Sequence, residues 1–154
     1  MARYIGYTVL LLAAACSALA QTGWSIDVAP PRSRLIPPNE LPIYCRSDRE
    51  IEGCTEFLGQ VLRCDCRRAG SGDGWSMAAH AQLVPYMYLT RAPLAGHERL
   101  HLDDLREQIG SYLADLTTRR FNDRESCASA ADFETAVFNM RMDLFSRLSN
   151  LRLH

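Results

Sequence analysis

His97 and His101 stand four residues apart with Glu98 between them, in the order His97-Glu98-Arg99-Leu100-His101. On a helix, residues four apart share a face, so both imidazoles can bind one metal ion while the Glu98 carboxylate flanks it. Zinc held by two His with a position left open for water is a catalytic arrangement, and the adjacent Glu can take a proton from that water. The chain holds four His, and two of them fall in this motif. The competing reading is a pair of exposed His on a solvated helix.

The helix that must carry the motif can be read from its neighbours. Pro93 suits a first turn, and the pattern runs on to about Arg120. Leu94, Leu105, Ile109, Tyr112 and Leu116 form an apolar stripe at steps of three and four, and His97 and His101 fall on it. A solvated pair would sit among Arg99, Asp103, Arg106 and Gln108 instead. The motif is therefore expected to face the interior.

A loop from about Phe121 to Ser126 leads through Cys127 to a second helix, expected from Ser129 to Leu153. Its apolar stripe is read as Phe133, Val137, Met140, Leu144, Leu148 and Leu151, and the next step lands on His154. A short loop favours antiparallel neighbours. His101 lies about 19 residues before Arg120 and His154 about 25 after Ser129, so at ~1.5 Å per residue their levels agree to within a turn or so. His154 is thus the expected third zinc ligand. The runner-up is His80, in the strand region before the motif helix, with an acidic ligand as a further option.

Upstream, Phe57, Leu58, Val61, Leu62, Cys64 and Cys66 have strand character, and a glycine-rich turn at Gly70-Ser71-Gly72-Asp73-Gly74 follows. Trp75 to Leu89 reads as the returning strand, with Pro85 marking an edge or an interruption. The expected fold class is α+β: a small antiparallel sheet around this hairpin, then an antiparallel pair of long C-terminal helices. Residues 21–42 contain Pro30, Pro31, Pro37, Pro38 and Pro42 and are expected to be extended over the surface or mobile. Residues 43–154 then make a single domain.

Residues 1–20 read as an export signal. Arg3 is followed by an apolar run from Ile5 to Ala15, and Ala18-Leu19-Ala20 fits a cleavage site before Gln21. A second reading takes Ala13-Ala14-Ala15-Cys16 as a lipoprotein signal with Cys16 lipidated. No later segment approaches the ~18 apolar residues of a membrane span. The mature chain of about 134 residues suffices for one core, and a net charge of −1 with signs intermixed offers nothing to nucleic acid. The compartment is expected to be periplasmic or extracellular.

Beyond Cys16 the cysteines are Cys45, Cys54, Cys64, Cys66 and Cys127. In an exported chain they read as disulfides before they read as zinc ligands. Cys45 with Cys54 would close a local loop. Cys127 would join Cys64 or Cys66, which share one strand face and cannot easily bond each other.

The region from about His80 to His154, with its His97-Glu98-x-x-His101 motif, Cys127 and His154, resembles the bacterial exported "domain of unknown function 922" family, which is assigned to the zinc-dependent proteases on its motif. The family tends to carry a small residue where this chain has Leu100, and a His-Gly where it has His154. The resemblance implies a zinc peptidase acting on a peptide or protein substrate, with His97, His101 and His154 on the metal and Glu98 as the base. Other zinc-peptidase patterns fit less well. A metzincin extension needs Gly and His or Asp where this chain has Asp104 and Glu107. A thermolysin-like site would recruit Glu134, which lies roughly 25 Å along the helix axis from the motif and reads as a solvated residue.

Asp104, one turn beyond His101, reads either as a group orienting an imidazole or as a surface charge beside Arg106. Tyr86 or Tyr88 could stabilise an oxyanion or could simply pack, and the strand from Gln82 to Thr90 could align a peptide as an edge. The alternative function is a non-catalytic exported binding or structural module whose His-Glu-x-x-His site only staples the helices or is degenerate.

Overall fold

In a computed structural model the described residues are 23–42, 53–57, 59–70, 72 and 74–153. The export signal, Cys16, Cys45 and His154 lie outside them. The chain is α+β. Six strands come first: β1 (Trp24–Val28), β2 (Arg32–Leu35), β3 (Gly53–Phe57), β4 (Val61–Arg68), β5 (Trp75–Leu83) and β6 (Pro85–Leu89). Two long helices follow, α1 (Ala95–Thr118) and α2 (Arg124–Leu153).

The expected hairpin is β4 and β5, antiparallel from Val61↔Gln82 to Arg68↔Trp75. Gly74, at φ +100°, turns the chain back where a Cβ would lie 2.8 Å from the Phe121 carbonyl. Pro85 brings no N–H to a ladder, and the line of strand breaks there into β5 and β6. Both halves are central. β5 lies between β1 and β4, and β6 lies between β2 and β3. The expectation of an edge strand across residues 82–90 is therefore corrected: β3, paired with β6 alone among the described strands, is an edge.

The sheets are mixed rather than purely antiparallel. β1 runs parallel to β5 and β2 parallel to β6. Both added strands come from the proline-rich segment, where Pro30 and Pro31 fall in the gap between β1 and β2 and not within a ladder.

Pleating sends alternate residues of β5 to opposite faces. Met77, Ala79, Ala81 and Leu83 face the helices and build the core with Leu62, Ile109, Leu113, Leu116, Phe138 and Met142. The small Ala79 and Ala81 let the helices lie close to the sheet. The helices are antiparallel, since His101 meets Ser149, Gln108 meets the Phe145 carbonyl and Arg119 meets Glu134.

The face of α2 that is buried differs from the expected stripe. Phe133, Met140, Leu144 and Leu148 are 60, 66, 51 and 40% exposed, whereas Cys127, Ala131, Glu134, Phe138, Met142 and Ser149 are buried. The reason lies at the helix start. Cys127 is bonded to Cys66 of β4, with Cα atoms 6.0 Å apart. That cross-link sets the rotation of α2, and steps of three and four from Cys127 land on the buried positions. The start itself falls earlier than expected because Asp123 caps the helix, accepting from the Ser126 N–H at 2.7 Å. Cys64 is the free thiol among the described cysteines, and burial raises its pKa. Cys54 is also disulfide-bonded.

Cys127→Ala is expected to lower stability by about 2–5 kcal/mol under oxidising conditions, because the bridge closes a long loop and ties α2 to the sheet. Thermal unfolding with and without reductant measures it. An unchanged midpoint for the variant would mean that the bridge contributes nothing.

Candidate metal centre

The motif lies in the first two turns of α1, reached through a 3-10 turn at Ala92–Leu94 that places Pro93 at its start. Its orientation follows from the rest of the helix. Leu102, Leu105, Ile109, Leu113 and Leu116 are buried, and counting back along that face reaches His101 and Glu98, which are 3% and 2% exposed. His97 is half-buried. The motif faces inward as its apolar context predicts.

His97 and His101 bring their Nε2 atoms to 3.2 Å, with the rings perpendicular at 88°. Two ligands at ~2.0–2.1 Å on a tetrahedral ion would stand about 3.3–3.4 Å apart, so the two nitrogens already have the spacing of a shared ion. A carboxylate oxygen of Glu98 lies with them in one group whose atoms are all within 4.8 Å of one another. Among the described residues this is the group of ligand-type side chains that could hold an ion.

Two elements distant in sequence hold these side chains in place. On α2, Ser149 is 1% exposed and its Oγ lies 3.1 Å from His101 Nδ1. A proton on Nδ1 donated to Ser149 leaves Nε2 with its lone pair, the form a metal needs. On β3, Thr55 Oγ1 donates to Glu98 Oε2 at 2.7 Å. Gly53, two residues earlier on the same strand face, leaves room for the carboxylate, since a Cβ there would lie 2.5 Å from Glu98 Oε1. Burial raises the Glu98 pKa above the usual carboxylate range, while the Thr55 hydrogen bond and the charge of His97 draw it part of the way back. Gly53→Ala is expected to cost about 1–3 kcal/mol, because the added methyl meets a carboxylate rather than a void. Urea unfolding against the wild type checks it; equal midpoints would mean that the contact relaxes freely.

The other expected participants are dispersed. His80 lies on β5 between Ala79 and Ala81, which face the helices, so its side chain leaves the opposite face of the sheet, where Nδ1 sits 2.8 Å from Ser25 Oγ. It is removed from the ligand set. His154 lies outside the described residues. The antiparallel register that joins His101 to Ser149 brings the level of His97 to the last turn of α2.

Glu134 is not a solvated residue: it is 2% exposed and accepts from Tyr112, Arg119 and Arg141 at 2.8, 2.7 and 2.9 Å. Burial pushes its pKa up, but these hydrogen bonds and the Arg141 charge outweigh it and hold the carboxyl below its usual range. Its place opposite Tyr112 and Arg119 keeps it far along α1 from the motif. Asp104 accepts from Gln108 and Arg152 at 2.9 and 3.1 Å, and the Nδ1 of His101 is met by Ser149.

The rings of Tyr86 and Tyr88 meet at a tilt of 48° with centroids 4.8 Å apart. They share a face with Cys54 and Glu56, opposite the face on which Gly53 and Thr55 meet Glu98. The hydrogen bond to Glu56 pushes the Tyr88 pKa up to about 12. An oxyanion role for either is overturned by this geometry.

Sequence reading missed Thr55, Gly53 and Ser149. Ser149 had a signal, since it falls on the face of α2 counted from Cys127. Thr55 and Gly53 had none, because only the pairing of β3 with β6 brings them over α1. Comparison with protein-family models, with curated proteins and with solved structures finds no match to this chain.

Proposed function

We propose that this protein is an exported zinc-dependent peptide hydrolase, with His97 and His101 as metal ligands and Glu98 as the base. The observation that carries the reading is the approach of two imidazole Nε2 atoms to 3.2 Å beside a buried carboxylate held by a strand hydroxyl. Among the described residues the donor set fits zinc: two imidazole nitrogens, one of them oriented by Ser149, beside a carboxylate. The resemblance to the exported "domain of unknown function 922" family belongs to the same proposal, as does His154 as the third ligand. The Cys66–Cys127 disulfide supports a periplasmic or extracellular location. No helix among the described residues is long and apolar enough to cross a membrane.

A zinc ion held there would supply the Lewis acidity that activates water and polarises a peptide carbonyl. The chain supplies the rest. Ser149 fixes the tautomer and plane of His101. Thr55 and the notch at Gly53 position the Glu98 carboxylate, which would take a proton from water and pass it to the departing amine.

A second reading, a binding module in which metal only staples the helices, is favoured by one observation. Glu98 is nearly inaccessible and already engaged by Thr55.

Metal content and affinity of the purified mature chain test the centre. The wild type is expected to bind one zinc, His101→Ala to lose it, and Ser149→Ala to bind about 10- to 100-fold more weakly. Undiminished zinc binding by His101→Ala would remove the centre altogether.

A further inference from the structure

Of the seven large apolar side chains exposed among the described residues, four lie on one face of α2: Phe133, Met140, Leu144 and Leu148. Val137, partly buried, falls between them. At 3.6 residues per turn the five share an arc of about 80° and run along about 22 Å of the helix. Single exposed apolar side chains are ordinary, but a continuous stripe of them marks a face that meets another surface.

The symmetry of the stripe selects a second copy of the same helix. Phe133 and Leu148 are equidistant from a point between Met140 and Arg141, and so are Val137 and Leu144. Two copies laid antiparallel about a two-fold axis through that point bring Phe133 against Leu148 and Val137 against Leu144, each pair twice, with the two Met140 side chains meeting at the centre. The steps of four, three and four from Phe133 to Leu144 are those that keep a seam in contact along two helices.

Charge selects the same pairing. In a two-fold antiparallel pair, each border of the stripe meets the same border of the other copy. Asp132 and Arg147 are both exposed and lie on one border, on opposite sides of the axis. Their distances from it differ by two residues, about 3 Å, so Arg147 of each copy comes within reach of Asp132 of the other. The pairing thus supplies two ion pairs at its rim.

We propose that the protein forms a homodimer through the outward stripe of α2, antiparallel about an axis near Met140. A single helix–helix contact of four turns is a small interface, so the dimer forms at micromolar concentrations and above, and the dilute chain is a monomer with its stripe in water. His97, Glu98 and His101 take no part in the contact, so the dimer does not depend on the hydrolase reading.

Sedimentation velocity of the mature chain at about 1–200 µM, a range that brackets the affinity of a small interface, is expected to show the mass rising from monomer to dimer. Met140→Glu places two carboxylates at the axis and is expected to weaken dimerisation by at least about tenfold, with the melting temperature of the dilute protein unchanged. Arg147→Asp and Asp132→Arg are each expected to weaken it about three- to tenfold, because both rim pairs turn repulsive. The two exchanges made together restore the attraction and are expected to return the affinity to within about twofold of the wild type. A mature chain that stays monomeric throughout the range overturns the proposal and leaves the stripe to residues 1–20 of the precursor or to a helix of another protein. A dimer indifferent to Met140→Glu overturns it too, as does a double exchange no better than either single one.

Discussion

Glu98→Gln is expected to leave zinc bound while lowering peptide hydrolysis by about 10²–10⁴-fold, the usual contribution of a positioned general base. The substitution is nearly isosteric. The carboxamide oxygen can still accept the Thr55 hydrogen bond, and the buried pocket beside Gly53 still receives a side chain of the same shape. What is lost is the ability to take a proton. Parallel measurements of metal content and of cleavage of a peptide mixture separate the possibilities. Zinc retained with hydrolysis lost is the expected pair of results. Loss of zinc would make Glu98 a ligand and favour the stapling site, and an unchanged rate would leave the base to some other group.

The second large effect concerns which face of α2 packs. Phe138→Ala is expected to destabilise the fold by about 3–5 kcal/mol, because Phe138 is 1% exposed and stacks near Tyr112 with ring centroids 6.3 Å apart. Phe133→Ala is expected to change stability by no more than about 0.5 kcal/mol, since that ring is 60% exposed. The two residues are of one type on one helix, five positions apart, so propensity and chain entropy cancel in the comparison. Chemical denaturation of both variants decides it. A larger loss from Phe133→Ala would mean that α2 is turned to its other stripe.

The contrast between those phenylalanines marks where periodicity stops being informative. α2 carries two candidate stripes. The richer one, from Phe133 to Leu148, is the stripe that a count of apolar residues selects, yet it faces outward. The buried face includes Glu134 and Ser149, polar residues that such a count penalises. Glu134 is tolerated there because Tyr112, Arg119 and Arg141 satisfy it. Two of these partners come from α1 and the residue that ends it, so no pattern within α2 reveals them. The phase of the helix was nonetheless legible at Cys127, once that residue was tied to a strand.

Local chemistry sufficed for the α+β class, the β4–β5 hairpin around its glycine turn, the break at Pro85, the antiparallel helices and the inward face of the motif. Each of these was legible in the chain: a missing N–H, glycine torsions, and a 3.6-residue period running unbroken through Leu105, Ile109 and Leu116 into His101. Folding in three dimensions was needed to choose which cysteine takes Cys127, which stripe of α2 is buried, and that His80 leaves the far face of the sheet. It was needed as well to make β3, rather than the line from Gln82 to Thr90, an edge, and to bring Thr55 and Ser149 to Glu98 and His101. These last are contacts between residues more than forty positions apart. Spacing along a chain fixes which side chains share a face, but only the packing of one face on another fixes what that face meets.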